Sequence, residues 1–324
     1  MKLSLRRLTL FVGLLSLINI SQVAAQPVRL KAAYSVQSSW SLATWMAYEG
    51  GFFKKYGLDV DLVLIRATPI VTTAMISGEA PIGQLGGNGP IAAAVQGADT
   101  VNFATLVNLI PQSFVVTPDI KTPEDLKGKR YGVSRFGAIS DVVVRKYLRR
   151  FGVEPDKDAQ IVQIGGIPEI LAAMKAGNIA GGSMSPPVLG AAKKAGFKEL
   201  VDFEVLDYKY PATSLATTKS FIQRQRATVL NFLRGEIEGA HAISKQKELS
   251  IKVLRKYMRI DDADVLDEGY RYAAKFISAR PYPTIEETKA VLEELKKPAA
   301  KPESFLDLTL LQELEKEKFF DKLK

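Results

Sequence analysis

Along most of this chain, short apolar runs alternate with longer stretches in which apolar residues recur three and four positions apart. The runs Leu30 to Ser35, Val60 to Ile65 and Pro81 to Leu85 are strand-like, and each is followed by a loop and a helical period. The same order returns at Arg130 to Ser134, Gln160 to Ile164 and Ile179 to Met184. Residues 30 to 98 and 130 to 196 therefore read as one unit of strand, loop and helix, three times over, written twice. Such alternation predicts an α/β fold in which each half is a mainly parallel sheet flanked by helices.

The duplication is also visible in the letters. Ala67 to Gly78 aligns without gaps on Gly166 to Gly177, with Pro69 on Pro168, Met75 on Met174 and Gly78 on Gly177. Each segment predicts a short helix, opened by a proline whose missing N–H has no helical partner and ended by a glycine suited to a left-handed cap. Upstream, Phe53 to Leu58 and Leu148 to Val153 close the preceding helices in similar residues. In sheets of this kind ligands bind beyond the carboxyl ends of the strands, so two copies offer two facing edges. Asn102 to Val116 reads as an extended crossing between the copies, with a hinge at Ile110 to Ser113. Thr122, Pro123 and Asp125 form the start and capping box of a short helix. From Phe221 onward the period is helical only: Gln223 to Ser244, Lys247 to Tyr257, Asp264 to Phe276, Thr284 to Lys296 and Leu308 to Leu323.

Length and composition agree with two lobes, because 324 residues exceed one core at about 100 to 200 residues per domain. The chain has no cysteine and one histidine, His241, which excludes disulfides, Cys/His zinc sites, Fe–S clusters and thiol nucleophiles. No metal and no cofactor is expected. The first 25 residues carry Lys2, Arg6 and Arg7, an apolar run from Leu8 to Ile20, and Val23-Ala24-Ala25. That is the pattern of an export signal, its apolar run shorter than the ~20 residues of a membrane span and without the cysteine of a lipid anchor. Its removal lowers the net charge from +9 to +6, and a periplasmic address follows. Arg145 to Arg150 has helical spacing, so a solvated helix face is expected there and no nucleic-acid partner.

Other motifs fail. Gly87, Gly89 and Ala92 have the spacing of a dinucleotide loop but lack an acidic residue about twenty positions on. Ser134 and Ser183 lie outside any Gly-x-Ser-x-Gly, and Asp261, Asp262 and Asp264 lack the glycine of a calcium loop.

Gly132 to Asp141, Gln163 to Glu169 and Ser183 to Pro187, in that order after an export signal, together with the tail Asp307 to Leu323, resemble the periplasmic substrate-binding proteins of ABC importers. The subgroup is that of nitrate, taurine and alkanesulfonate binders and the thiamine-pyrimidine binding proteins. The resemblance implies a type II periplasmic-binding-protein fold: lobe 1 from residues 26–112 and 212–324, lobe 2 from 113–211, and a helical C-terminal tail. It implies a monomer that closes on one small molecule and delivers it to an ABC permease in the inner membrane. The related pyrimidine-forming enzymes use a cysteine-rich motif and histidines that this chain lacks. The alternatives are an exported enzyme on the same fold, for which Asp141, Glu169 and Tyr34 are the candidates, and a ligand-sensing partner of a membrane receptor.

The loops placed at the crevice supply the candidate ligand set: Ser38, Ser39, Trp40, Thr68, Gly87 and Asn88 from the first copy, and Arg135, Phe136, Ser140, Gly166 and Ser185 from the second. Hydroxyls and helix-terminal N–H groups suit a sulfonate, carboxylate or other polar head. A micromolar binder needs roughly 8 kcal/mol, so enclosure of an apolar or heteroaromatic body, by Trp40 and Phe136, is also expected. Ser38, Ser39 and Ser140 serve equally well as helix caps; the rival readings of the others are a core residue for Trp40, a surface charge for Arg135 and a turn residue for Asn88, with the pocket preferred for Trp40 and ligand contact for Asn88.

Overall fold

The computed structural model describes residues 26–205 and 208–323. The export signal expected over residues 1 to 25 lies outside the described residues. Among these, no helix is long and apolar enough to cross a membrane.

The strands are β1 (Val28–Tyr34), β2 (Leu58–Leu64), β3 (Ile82–Leu85), β4 (Thr100–Leu109), β5 (Ser113–Val116), β6 (Arg130–Val133), β7 (Gln160–Gln163), β8 (Gly181–Met184), β9 (Lys198–Val201) and β10 (Lys209–Thr218). They form two five-stranded sheets, ordered β2-β1-β3-β10-β4 and β7-β6-β8-β5-β9. The two orders are the same pattern. In each, three successive strands are parallel, and the strand in fourth place runs antiparallel to both neighbours. That strand is the one adjoining a crossing: β5 follows β4 of the other sheet across residues 110–112, and β10 follows β9 on the way back. A strand that enters from the opposite lobe runs against the rest, which is why each mainly parallel sheet is mixed.

Helices α1 (Leu42–Glu49), α2 (Phe52–Lys55), α3 (Thr68–Ser77) and α4 (Asn88–Val95) connect the first sheet, and α5 (Ile139–Arg150), α6 (Ile167–Lys175) and α7 (Val188–Lys194) the second. The duplicated punctuation acts as the sequence implies: Pro69 and Pro168 lie in first turns, and Gly78 and Gly177 end α3 and α6 at φ of 78° and 72°. The capping box of Thr122 and Asp125 is present, heading a 3-10 turn, Pro123–Leu126. β3, β5 and β8 are buried throughout, as strands covered on both faces must be.

The tail is helical: α8 (Lys219–Lys245), α9 (Lys247–Met258), α10 (Ala263–Phe276), α11 (Ile285–Glu294) and α12 (Thr309–Lys316). α8 lies against α1 at backbone distance, because Gly239 meets Ala43 and Ala47 without a side chain between them. Phe53 stacks on Phe232 at 4.6 Å and Trp45 on Tyr257 at 4.5 Å, fastening α2 and α1 to the tail. α10 also reaches the second unit, where Lys194 at the end of α7 pairs with Asp262 at 2.7 Å and Asp264 at 3.1 Å.

Candidate binding site

Between the carboxyl edges of the two sheets lies a cavity of about 50 Å³. Its walls are mostly loop residues next to strand ends. Ser35 and Gln37 follow β1, Arg66 follows β2, Gly86 follows β3 and Ser134 follows β6, while Pro111 and Gln112 come from the first crossing and Thr213 from β10.

Three helices begin at this cavity: α3 at Thr68, α5 at Ile139 and α6 at Ile167 all line it with their first residues. The opening N–H groups of a helix lack intrahelical partners, and the aligned peptide dipoles add partial positive charge there. Among the described residues, Arg66 is the one ionised side chain in the lining, and the Glu169 carboxylate reaches it from just outside. Its Nη2 pairs across the cleft with Glu169 Oε1 of α6 at 3.2 Å and donates to Gln37 Oε1 at 3.3 Å. Gly166 lies beneath this pair, so that a Cβ there would come within 2.6 Å of Glu169 Oε2 and 3.1 Å of Arg66 Nε. Inside, Thr68 Oγ1 accepts from the Gly86 N–H at 3.2 Å, and Ser140 Oγ accepts from the Ser134 N–H at 2.9 Å. Gln112 Oε1 is buried without a protein partner among the described residues. Ala67, at the head of α3, has φ of 78°, a conformation disfavoured for any residue with a side chain. Strain of this kind is kept where the surroundings over-determine the backbone, and here it turns the start of α3 towards the cavity.

Of the expected residues, Trp40, Thr68, Ser140 and Gly166 line the cavity. Trp40 is also core: it is 1% exposed, donates from Nε1 to the Pro111 carbonyl at 3.0 Å and meets Phe203 and Phe276 edge-on. The other seven lie elsewhere. Ser38 caps the 3-10 turn Ser39–Ser41, and the Ser39 N–H donates to Pro186 of the facing unit at 2.9 Å. Gly87 is fixed by its N–H to the Pro211 carbonyl at 2.7 Å and by Asn102 Nδ2 on its own carbonyl at 3.0 Å. Asn88 Nδ2 donates to the Gly137 carbonyl at 3.0 Å, tying the units together beside the cavity. Arg135 and Phe136 are exposed, and Ser185 is fully buried next to Pro186. Six further polar residues line the cavity outside that ligand set, Ser35, Gln37, Arg66, Gln112, Ser134 and Thr213, of which Gln37 and Arg66 belong to loops that the sequence places at the crevice. Position gives only part of the signal: Gly86 and Ser134 leave their strands into the cleft, whereas Ser185, which leaves β8, does not line the cavity.

Residues 41–248 match the family described as NMT1/THI5 like. This chain belongs to that family. It is 29% identical over 249 residues to the taurine-binding periplasmic protein of Escherichia coli K12, covering 76% of each chain. Among solved structures, the protein is similar to one from Bordetella bronchiseptica RB50, with a TM-score of 0.81 and 19% identity over 90% of this chain and 98% of that one. The alkanesulfonate-binding protein SsuA of Xanthomonas axonopodis pv. citri, bound to MOPS, gives 0.69 and 17% over 86% and 96%. Desulfurization enzyme DSZB gives 0.65 and 14% over 90% and 100%. The fold of this NMT1/THI5-like protein is thus the periplasmic-binding-protein fold, and it is one that an enzyme also uses.

Proposed function

We propose that this protein is an extracytoplasmic solute-binding protein of an ABC importer, taking a small organic anion between two lobes and passing it to a permease. The lobes are residues 26–112 with 212–324, and 113–211. The observation that carries the reading is the convergence of the α3, α5 and α6 N-termini and Arg66, contributed by both sheets, on one cavity whose lining has no carboxylate. An anion held there is shared by both lobes, and so favours their closure. The binding set becomes Thr68, Ser140, Gly166 and Trp40 from the original expectation, joined by Gln37, Arg66, Gln112 and Ser134. The relatives' taurine and alkanesulfonate ligands agree with a sulfonate head.

A thermal-shift screen with taurine, alkanesulfonates, nitrate, bicarbonate and aromatic carboxylates tests this. A ligand at 100 times its Kd adds about 2.7 kcal/mol, a rise of several degrees, and Arg66→Gln abolishes it. No shift with any anion sinks the proposal. The shared fold with a desulfurization enzyme makes catalysis the second reading, and turnover of a bound sulfonate would establish it.

A further inference from the structure

A cavity of about 50 Å³ has room for a compact polar head, far less than the ~300 Å³ at which ordinary ligand pockets begin. Behind one wall lies a groove of about 430 Å³. The wall is thin: Gly86 and Ala138 face the cavity, while Asn88 and Gly137, each close along the chain, face the groove. The Asn88 to Gly137 hydrogen bond closes it. Asn88 is 7% exposed, and its buried Oδ1 has no partner among the described residues; a Cβ on Gly86 would lie 2.6 Å from that oxygen. The asparagine amide thus spans the wall, with one end at the cavity side and the other engaged by the opposite lobe.

Beyond the wall, α5 lines the groove with Arg145, Lys146 and Arg149. The acids there are engaged: Asp141 accepts from Arg145 Nε at 2.6 Å and from the Gly137 N–H at 2.9 Å, and Glu294 accepts from Tyr210 at 2.8 Å. Lys146 makes no close ion pair among the described residues; its ammonium lies 3.3 Å from the centre of the Tyr208 ring, and desolvation lowers its pKa against the opposing pull of Glu294 and Glu293. Phe136, next to Gly137 and 48% exposed, lays its ring 5.6 Å from the Arg145 guanidinium.

We propose that the groove is a second subsite of the same binding site, holding the distal anionic group of an elongated organic anion whose head occupies the cavity and whose chain passes between Asn88 and Gly137. This rests on the reading of the cavity as an anion site. Asn88 then exchanges its lobe-to-lobe hydrogen bond for contact with the ligand chain, Phe136 covers an apolar stretch of that chain, and Lys146 meets the far charge. The ligand class is a sulfonate or carboxylate carrying a second carboxylate at its other end.

Calorimetric titration of alkanesulfonates of increasing length, and of the same sulfonates with a terminal carboxylate, tests the subsite in the wild type, Lys146→Met and Arg149→Gln. At one length the carboxylated sulfonate binds the wild type about tenfold more tightly than its plain counterpart, the worth of one charge-assisted hydrogen bond. That ratio falls towards one in Lys146→Met and is reduced in Arg149→Gln, whose side chain is 54% exposed and pairs with Glu154 at 3.1 Å. A wild-type ratio near one at every length, with plain sulfonates still bound, removes the subsite and leaves the cavity reading standing. A ratio unchanged in both variants also removes it. Binding of neither series overturns the anion reading and the subsite with it.

Discussion

Trp40 serves the fold and the site with one side chain. Its indole is walled by Phe203 and Phe276, its N–H is committed to Pro111, and only its edge reaches the cavity. Trp40→Ala is therefore expected to lose about 3 to 5 kcal/mol of stability, as large cavities do, and to lower Tm before any effect on ligand is measurable. Trp40→Phe keeps most of the packing and should keep the fold; chemical denaturation separates the two. Glu236 is a residue whose consequence lies in pH. It is fully buried against α1, where the Thr44 hydroxyl donates to Oε2 at 3.1 Å, and burial pushes its carboxyl up to about 8. The folded chain then holds a proton that the unfolded chain releases above about pH 4.5, so stability is lost as pH rises from there to about 8. Glu236→Gln should gain on the wild type by up to about 1.4 kcal/mol per pH unit across that window and by nothing further outside it. A pH-independent difference in Tm would show that the carboxyl is ionised in the fold. The sequence leaves Trp40 open between pocket and core, and it hides Glu236, since a glutamate at helical spacing suggests solvent.

The elements were legible wherever local chemistry sets them. Proline-opened and glycine-closed helices repeat at a fixed offset, so α3 and α6 are recognisable from either copy. The crossing from Asn102 to Val116 reads as one extended stretch but is two strands, because Pro111 has no N–H to give to a ladder and the chain leaves the first sheet there. β9 and β10 escaped recognition altogether. β10 is rich in threonine and alanine and carries Pro211, a poor advertisement for a central strand; the structure places that proline in the register shift between Lys209 and Thr213, where its carbonyl holds Gly87. The closest approach of α1 and α8 is made at Gly239. A methyl group there would meet the Ala47 backbone nitrogen at 2.7 Å, and backbone cannot move aside as a side chain can. Gly239→Ala should cost about 1 to 3 kcal/mol despite the better helix propensity of alanine, and an unchanged denaturation midpoint would mean that the helices can separate without loss.

At the scale of the molecule, the two units share an architecture but not a continuity of chain. All five strands of the second sheet, β5 to β9, lie in one stretch, whereas the first sheet takes β10 from beyond it. Excised residues 113–211 should therefore show cooperative unfolding followed by circular dichroism, and residues 26–112 should not; the reverse result would contradict the proposed division into lobes. The duplication visible in the sequence accounts for the three parallel strands of each sheet. It could not show the exchange that completes them, because that depends on pairing between residues far apart along the chain. β10 sits between β3 and β4, so β4 has no neighbour in its own sheet until nearly the whole of the second unit has been made. A chain emerging N-terminus first, from a ribosome or through a membrane pore, thus completes its sheets in the opposite order to their first appearance in the sequence. The early half stays open until the last crossing arrives, and a passage that needs an unfolded chain is given time by the topology itself.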